Sequence, residues 1–235
     1  MLISAISDIH SPLYFDLFVK AMNKYNENPD LFILAGDIID AGKTEEFQKV
    51  YNVLFGKINC PIIAVYGNNE YQQIRMILEN KFSDITFLDD ESIVLDIKGK
   101  KVGIVGSQGS LDRPTFWQRN NIPNIYDIYK QRIQKVSELL ENLECDFKIL
   151  VIHYVPTYKI LKGENEKYYP QLGSKAYESV IRKTHPDLVI CGHSHNGIKE
   201  TWVNTTPVFN AAIPVNKEIV NIDTEKLKPG LEKFF

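Results

Sequence analysis

The 235-residue sequence predicts an α/β fold in which a mixed β-sheet, or two packed sheets, is covered by helices. Short apolar runs typical of strands alternate with longer helical patterns, which favours parallel strands joined by crossover helices. Two parts of the chain instead carry successive strand-like runs with no helix between them. Such neighbours pair antiparallel through short turns, so a mixed sheet fits the sequence better than a purely parallel one.

The predicted strands are ten short apolar runs. They span residues 2–7, 31–35, 62–66, 93–97, 102–106, 147–152, 188–191, 198–203, 208–210 and 219–222. The longest helical pattern covers about residues 125–144, where Ile, Val and Leu recur near 3.6-residue spacing. Other helical patterns lie near residues 14–26, 44–55, 70–80 and 175–183. The segment Lys98-Gly99-Lys100-Lys101 joins two predicted strands and indicates a hairpin.

The composition is that of a globular protein, because 44% of the residues are hydrophobic and 24% are charged. A chain of this length can bury a large core without disulfides or a structural metal. We therefore predict a single domain over residues 1–235. For the same reason, a metal site in this chain is expected to serve chemistry rather than folding.

Charge and cysteine content restrict the expected partners and compartment. The net charge is −3 and there is no basic tract, which argues against binding of bulk nucleic acid. Three cysteines without a C-x-x-C spacing indicate a reducing compartment. The apolar run at the start is too short to span a membrane and lacks a basic leader. We therefore expect a cytoplasmic protein without a membrane segment, and its oligomeric state is left open because no heptad pattern indicates an interface.

Side chains that can bind metals or substrates follow the carboxyl ends of five predicted strands. They are Asp8 and His10, then Asp37 and Asp40, then Asn68 and Asn69, then His153, and finally His193 and His195. Ligands of open α/β sheets bind along this edge, so five stretches of sequence are expected to meet at one rim. The fifth histidine, His185, precedes its strand and is expected at the opposite end of the sheet.

The chemistry of this set is consistent with metal binding. Carboxylate, imidazole and amide oxygen suit divalent ions such as Mn²⁺, Fe²⁺, Zn²⁺ or Co²⁺. The absence of cysteine from the set argues against a structural zinc site.

Five short motifs appear in the chain in a fixed order. They are Asp8-Ile9-His10, Gly36-Asp37-Ile38-Ile39-Asp40, Gly67-Asn68-Asn69-Glu70, Ile152-His153 and Gly192-His193-Ser194-His195. Each alone is a weak signal, but together they resemble the calcineurin-like metallophosphoesterase family over about residues 1–196. The resemblance implies a four-layer α/β/β/α sandwich, in which two mixed β-sheets are flanked by helices.

The resemblance also implies a division of metal ligands. One divalent ion would be held by Asp8, His10, Asp37 and His195, and the other by Asp37, Asn68, His153 and His193, with Asp37 bridging the two. The ions would be Mn, Fe, Zn, Co or Ni, with Mn as the first expectation. A hydroxide bridging the metals would attack the phosphorus of a small phosphoester or nucleotide substrate.

The third motif departs from the family at Asn69, where most members carry a histidine that stabilises the transition state or protonates the leaving oxygen. Asn69 can donate hydrogen bonds but cannot release a proton near neutral pH. The family aspartate at the position of Asp40 commonly orients that histidine, so here Asp40 is expected either to bond Asn69 or to support its loop. We therefore predict activity towards phosphodiesters, with Asp37, Asn69 and Asp40 as catalytic residues.

Two predicted loops, residues 107–124 and 154–173, are long and without assigned secondary structure. Arg113 is a candidate for binding substrate phosphate together with Asn69, because Arg pairs well with phosphate. Trp117, Arg119 and the pair Tyr168-Tyr169 are weaker candidates, for which a packed or solvated loop is the alternative interpretation. Glu70 is interpreted as an acidic residue in the first turn of a helix and not as a ligand.

Two other functions are compatible with the sequence. A phosphoesterase fold can serve as a metal-free scaffold for protein binding, although all seven expected ligands are present here. A nuclease acting on nucleic-acid ends is disfavoured by the acidic balance. Metal analysis with an aryl diester assay separates the first alternative from an enzyme, and salt-dependent DNA binding would indicate the second.

Overall fold

The computed structural model describes residues 1–227 of the chain and shows two β-sheets packed face to face, with helices on both outer faces. The predicted fold class, a four-layer sandwich of two mixed sheets flanked by helices, is confirmed. The last eight residues of the predicted single domain lie outside the described residues. No helix within residues 1–227 has the length and apolar character needed to cross a membrane.

The described chain contains eleven strands. They are β1 (Leu2–Ile6), β2 (Leu31–Ala35), β3 (Ile62–Val65), β4 (Ile85–Leu88), β5 (Glu91–Ile97), β6 (Lys100–Ser107), β7 (Phe147–Ile152), β8 (Leu188–Cys191), β9 (Glu200–Val203), β10 (Thr206–Asn210) and β11 (Val220–Asp223). The first sheet has the order β11-β1-β2-β3-β4, and the second has the order β5-β6-β7-β8-β10-β9. Both sheets are mixed, because β11, β5 and β9 pair antiparallel with their neighbours.

Seven α-helices accompany these strands in residues 1–227. They are α1 (Phe15–Lys24), α2 (Thr44–Leu54), α3 (Gln72–Lys81), α4 (Phe116–Asn121), α5 (Ile125–Asn142), α6 (Ala176–Thr184) and α7 (Ile213–Asn216). Helix α5 confirms the longest predicted helix. Its buried residues Ile125, Tyr129, Val136 and Leu140 fall on one face, as 3.6-residue periodicity requires.

Strand residues alternate between two apolar layers. Ile3 and Ala5 of β1 pack between the sheets, whereas Ile6 packs beneath the helices of the first sheet. Strands buried on both faces are apolar at nearly every position, which explains the nearly continuous hydrophobic runs. Each fully buried Ile or Leu side chain contributes roughly 1.5–3 kcal/mol of burial free energy, so the central strands are the most stable part of the scaffold.

The predicted hairpin is confirmed between β5 and β6. Its two turn residues, Lys98 and Gly99, both have positive φ, at 54° and 77°. A two-residue turn with positive φ at both positions matches the right-handed twist of the paired strands.

The structure corrects three features of the predicted fold. Strand β4 was not predicted, although it pairs with β3 at the edge of the first sheet. The loop 107–124 contains α4, whose N-cap Thr115 forms a capping box with Gln118. The loop 154–173 contains two 3-10 turns, Tyr158–Leu161 and Glu166–Gln171. Both loops are therefore ordered walls of the domain rather than structureless connections.

Candidate metal centre

The structure brings the seven expected metal ligands together at the rim between the sheets. Strands β1, β2 and β3 of the first sheet and β7 and β8 of the second sheet end at this rim. The ligands follow them directly, and we call the set the metal centre: Asp8, His10, Asp37, Asn68, His153, His193 and His195. His185 lies elsewhere, exposed at the C-terminal end of α6, as predicted.

One half of the metal centre consists of Asp8, His10 and His195. The Nε2 atom of His195 lies 3.1 Å from Asp8 Oδ1 and 3.2 Å from His10 Nε2. The distance between His10 Nε2 and Asp8 Oδ1 is 3.7 Å. Three donor atoms therefore converge on one point.

The other half consists of Asp37, Asn68, His153 and His193. His153 Nε2 lies 3.4 Å from Asp37 Oδ2 and 3.4 Å from Asn68 Oδ1. The rings of His153 and His193 have centroids 5.0 Å apart. Single donor atoms of Asp8, Asp37, His153 and His193 all lie within 4.8 Å of one another, so Asp8 also reaches this half.

The Asp37 carboxylate lies between the two halves. Its Oδ2 atom is 3.5 Å from His10 Nε2 and 3.4 Å from His153 Nε2, which belong to different halves. A carboxylate in this position can share its oxygens between two cations. The geometry supports the expected bridging role of Asp37 and adds Asp8 as a second carboxylate close to both halves.

Divalent cations fit the donor set. Oxygen and nitrogen ligands about 2.0–2.2 Å from one ion lie roughly 3–3.6 Å from each other, which matches the separations found here. His153 Nδ1 lies 2.9 Å from the carbonyl oxygen of Ala35, which can only accept a hydrogen bond. Nδ1 therefore carries a ring proton, and Nε2 faces the site, where it can bind a cation once its own proton is released.

Four residues of the metal centre have left-handed backbone conformations. The φ angles are 57° at Asp8, 42° at His10, 50° at Asp37 and 69° at His193. Non-glycine residues in this region cost of order 1–3 kcal/mol each and cluster at functional sites. The backbone N–H groups of Asp8 and His10 donate hydrogen bonds to the carbonyl oxygens of Gly36 and Asp37. These hydrogen bonds hold the turn that contains Asp8 and His10.

Two glycines are required by close approach. A Cβ atom at Gly67 would lie 2.2 Å from Asp37 Oδ1, and one at Gly192 would lie 2.5 Å from Asp8 Oδ2. Any larger residue would displace the two carboxylates that lie between the metal sites.

Glu70 has a different role from the one predicted. It is only 2% exposed, precedes α3 and accepts hydrogen bonds from the backbone N–H groups of Asp37, Ile38, Ile39 and Gly67 at 2.8–3.1 Å. The interpretation of Glu70 as a residue of the first helical turn is wrong, because its side chain turns back onto the Asp37 loop. This contact spans more than thirty residues of sequence, so no local pattern could indicate it.

Asn69 is held beside the bridging carboxylate. Its Nδ2 donates to Asp37 Oδ2 at 2.9 Å and lies 3.5 Å from His10 Nδ1, and its Oδ1 accepts from Ala41 N at 3.1 Å. The Asp40 side chain is 42% exposed and forms an ion pair with Lys43 at 3.0 Å. The structure therefore supports the second expected role of Asp40, which is to support its loop.

The charges of the metal centre depend on one another. Burial opposes ionisation of Asp8, but hydrogen bonds from His10 and His195 outweigh it and hold the Asp8 pKa well below its ordinary value. Burial also disfavours the charged form of His153, yet the Asp37 and Asp8 carboxylates raise its pKa to about 9. For His193, burial and the neighbouring His153 charge lower the pKa to about 4. The two carboxylates thus attract positive charge strongly, as a cation site requires.

The remaining predicted candidates lie in the two long loops. The Arg113 guanidinium donates to the carbonyl oxygen of Lys167 at 3.0 Å and so joins one loop to the other. Arg119 donates to the Pro114 carbonyl oxygen within its own loop. The contact of Arg113 joins two loop segments and does not involve the metal centre. Substrate binding by Arg113 therefore stays a prediction. Trp117 does line a cavity beside the metal centre.

This cavity has a volume of about 960 Å³ and opens next to Asn68 and His193. It lies between α3, α4 and the start of α5, and two half-buried arginines, Arg75 and Arg132, line it. Neither arginine was predicted as a site residue, since both lie within helical patterns and carry no motif.

The double sheet and the metal centre at its rim have the architecture of a metallophosphoesterase. The sequence model described as calcineurin-like phosphoesterase matches residues 1–197. A probable glycerophosphodiester phosphodiesterase GpdQ from Arcobacter nitrofigilis is 23% identical over 217 residues, covering 92% of this chain and 73% of the relative. The serine/threonine-protein phosphatase CPPED1 from Homo sapiens is 23% identical over 228 residues, covering 89% of this chain and 69% of the relative.

Solved structures show the same fold. The phosphopantetheinyl hydrolase PptH from Mycobacterium tuberculosis matches with a TM-score of 0.72 and 16% identity, covering 97% of this chain and 98% of that structure. The protein TT1561 of Thermus thermophilus matches with a TM-score of 0.59 and 18% identity over 95% of this chain and 98% of that structure. The chain therefore belongs to the calcineurin-like phosphoesterase family, and the resemblance of its five motifs is confirmed.

Proposed function

We propose that the protein is a metal-dependent phosphodiesterase acting on small phosphodiesters. The metal centre supports the metal dependence, since seven donors from both sheets converge with separations that suit two divalent ions. When bound, two cations supply a hydroxide nucleophile at neutral pH and neutralise charge that develops on the phosphoryl oxygens. Mn²⁺ is the first candidate because the carboxylate and amide oxygens of the site suit it.

The residues of the chain divide the remaining tasks. Asp8, His10 and His195 would hold one ion, Asn68, His153 and His193 the other, and Asp37 would bridge them. Asn68 is a neutral donor and therefore limits the negative charge of the second half. Glu70 fixes the backbone on which Asp37 stands, so the carboxylate does not reorganise when an ion binds.

The preference for diesters rests on Asn69. Its Nδ2 faces Asp37 and the site, and an amide donates a hydrogen bond there without releasing a proton. An alkyl monoester needs a proton on its leaving oxygen, whereas an activated diester leaves with less help. The relatives carry names of both kinds, a phosphodiesterase and a protein phosphatase, so this choice needs its own test.

The test is a kinetic comparison of matched aryl esters. Purified protein is assayed on methyl p-nitrophenyl phosphate, a diester, and on p-nitrophenyl phosphate, a monoester, with Mn²⁺, Zn²⁺, Fe²⁺ or Co²⁺ and with chelator. We expect activity that chelator abolishes and that is higher on the diester. A much faster monoester reaction would contradict the diester preference. Protein that binds none of these cations and is inactive on both esters in their presence would instead support the scaffold alternative.

The cytoplasmic location is also proposed. It is supported by the composition, with three cysteines that the structure leaves unpaired, as expected in a reducing compartment. Fractionation of cells that express the full-length protein tests it, and recovery in a secreted fraction would contradict it.

A further inference from the structure

The cavity beside the metal centre is continuous with the reacting position. Asn68, Asn69 and His193 belong to both, and Tyr154 forms part of the wall between them. The Tyr154 ring packs against the His193 ring with centroids 4.8 Å apart, and its hydroxyl accepts from Gln118 at 3.2 Å. A group attached to a phosphorus atom at the metal centre can therefore extend into this cavity.

The cavity is far larger than a phosphoryl group needs. Its volume of about 960 Å³ lies at the upper end of the range of roughly 300–1,000 Å³ that is usual for small-molecule sites. A site for a small arm such as a methyl or glycerol group would not require this space. The cavity can therefore hold an arm of many non-hydrogen atoms.

The positive charges that line the cavity are already neutralised. Arg75 donates to Asp89 at 2.6 Å and to Gln108 at 3.1 Å. Arg132 donates to Asp90 and to the Gly109 carbonyl oxygen, both at 2.8 Å. Among residues 1–227 no lysine lines the cavity. A second phosphate or another anionic group would therefore find no unpaired cation here.

The far wall of the cavity is apolar. It is formed by aliphatic and aromatic side chains that pack around Tyr154, namely Leu111, Ile122, Ile125 and Tyr129. Ile128, on the next turn of α5, also lines the cavity and is 37% exposed. Tyr71 and Trp117 line the cavity as well, so its apolar lining suits both an aliphatic chain and a ring.

Neutral hydrogen-bonding groups interrupt this apolar surface. The amides of Gln108, Gln118, Asn121 and Gln171 line the cavity, and the first three also hydrogen-bond within the protein. The Oδ1 atom of Asp89 is buried and has no hydrogen-bond partner within residues 1–227, so a donor on a bound group would satisfy it. The lining thus matches an uncharged group that carries an N–H or O–H donor.

We infer that this cavity binds one ester arm of the substrate and that this arm is a large, uncharged, partly apolar group bearing hydrogen-bond donors. The inference rests on the proposed function, because the phosphoryl group must be held at the metal centre. It makes the walls of the cavity the determinants of specificity. An arm with a second phosphate is disfavoured as an occupant.

The test varies the arm while the leaving group stays constant. A series of p-nitrophenyl phosphodiesters carries a methyl, a hexyl, a hydroxyhexyl, a carboxypentyl or a thymidine arm, and each is assayed with the metal-loaded full chain. We expect the KM of the hexyl ester to be roughly tenfold below that of the methyl ester, because additional methylene groups leave water. The hydroxyhexyl arm should bind at least as well as hexyl, and the carboxypentyl arm more weakly.

Variants of the apolar wall connect this preference to the cavity. Ile122→Ser should raise the KM of the hexyl ester several-fold more than the KM of the methyl ester, and Ile128→Ser, at a more exposed position, should do the same to a smaller extent. Val94→Ser, an exposed aliphatic position on β5 that does not line the cavity, should leave both values unchanged. Thermal melts identify any variant that does not fold.

The outcomes separate this inference from the proposed function. Lack of chelator-sensitive activity on every ester would overturn the proposed function. Activity on all esters with the same KM would overturn the inference alone. Tighter binding of the carboxypentyl ester than of the hexyl ester would also overturn it, in favour of an anionic arm.

Discussion

The metal centre and the cavity beside it are positioned in different ways. Each residue of the metal centre stands directly after a strand, so the hydrogen-bond ladders of the two sheets determine where its backbone lies. The cavity wall is formed by α3, α4, the start of α5 and the adjoining loops. Side-chain contacts hold this wall in place, such as Arg75 with Gln108 and Gln118 with Tyr154. The chemistry of the site thus depends on the sheets, and its selectivity depends on individual side-chain pairs.

Loss of the bridging carboxylate should have the largest effect. Asp37→Asn removes one negative charge between the two halves. Loss of a residue that only hydrogen-bonds to a metal ligand typically costs roughly 10–100-fold. We expect kcat/KM on methyl p-nitrophenyl phosphate to fall by more than this. Steady-state kinetics and the metal content of purified protein measure this loss. His185→Gln, at an exposed position away from the rim, is the matched control. Equal activity of Asp37→Asn and the unaltered protein would exclude Asp37 as a ligand.

Loss of the carboxylate beneath the Asp37 loop should have the next largest effect. Glu70→Gln places an N–H₂ group against backbone N–H donors, so the loop loses acceptors and the cation affinity should fall roughly 10–100-fold. Calorimetric titration of metal-depleted protein with Mn²⁺ measures the affinity. Glu138→Gln, on the exposed face of α5, should not change it. An unchanged affinity in Glu70→Gln would mean that the loop holds its shape without this residue.

Restoring an acid beside the metals should have a moderate effect. A general acid contributes roughly 10²–10⁴-fold to a rate, but Asp40 pairs with Lys43 and is not aimed at position 69. We therefore expect Asn69→His to raise the ratio of the rate on an alkyl monoester, glycerol 2-phosphate, to the rate on the aryl diester by about tenfold, because only the alkyl leaving oxygen needs a proton. Asn69→Gln, which keeps an amide, should leave this ratio low. A ratio that stays constant in both variants would show that protonation of the leaving oxygen is not limiting.

The smallest effect on catalysis is expected in the cavity wall. Asp90 accepts hydrogen bonds from Arg132 and Ser107. Asp90→Asn removes the negative charge and so weakens the hydrogen bond from Arg132. Because Asp90 is partly exposed, we expect the free energy of unfolding to fall by about 1–2 kcal/mol. Urea unfolding measures this change, with Glu91→Gln on the exposed part of β5 as control. A larger loss of kcat than of stability would place Asp90 in the chemistry and remove the distinction between the two regions.

The metal centre was largely predictable because it follows from strand ends. Apolar runs before Asp8, Asp37 and His153 marked the strands, and parallel strands bring their carboxyl ends together. The role of Glu70 was not predictable, since three of the backbone N–H groups that donate to its carboxylate belong to a loop more than thirty residues away. The same is true of Arg132, whose pairing with Asp90 depends on how α5 packs on the second sheet.

Two fold elements were missed for different reasons. Strand β4 has only four residues and lies at the edge of its sheet, so only Ile85 and Leu88 are buried and its periodic signal is weak. Helix α4 had a readable signal, because Thr115 followed three residues later by Gln118 is a capping-box pattern. Here the sequence contained the information, and only the shortness of the helix concealed it.

The left-handed backbone at Asp8, His10, Asp37 and His193 constrains how this chain can change over time. At His153, whose backbone is not among the positive-φ positions, a replacement loses only the ligand. At the four left-handed positions, most replacements also misfit the turn, and Gly, Asn and Asp are tolerated best. A descendant that gave up catalysis but kept its fold would therefore be expected to retain small polar residues or glycine there, as a trace of the ancestral metal site.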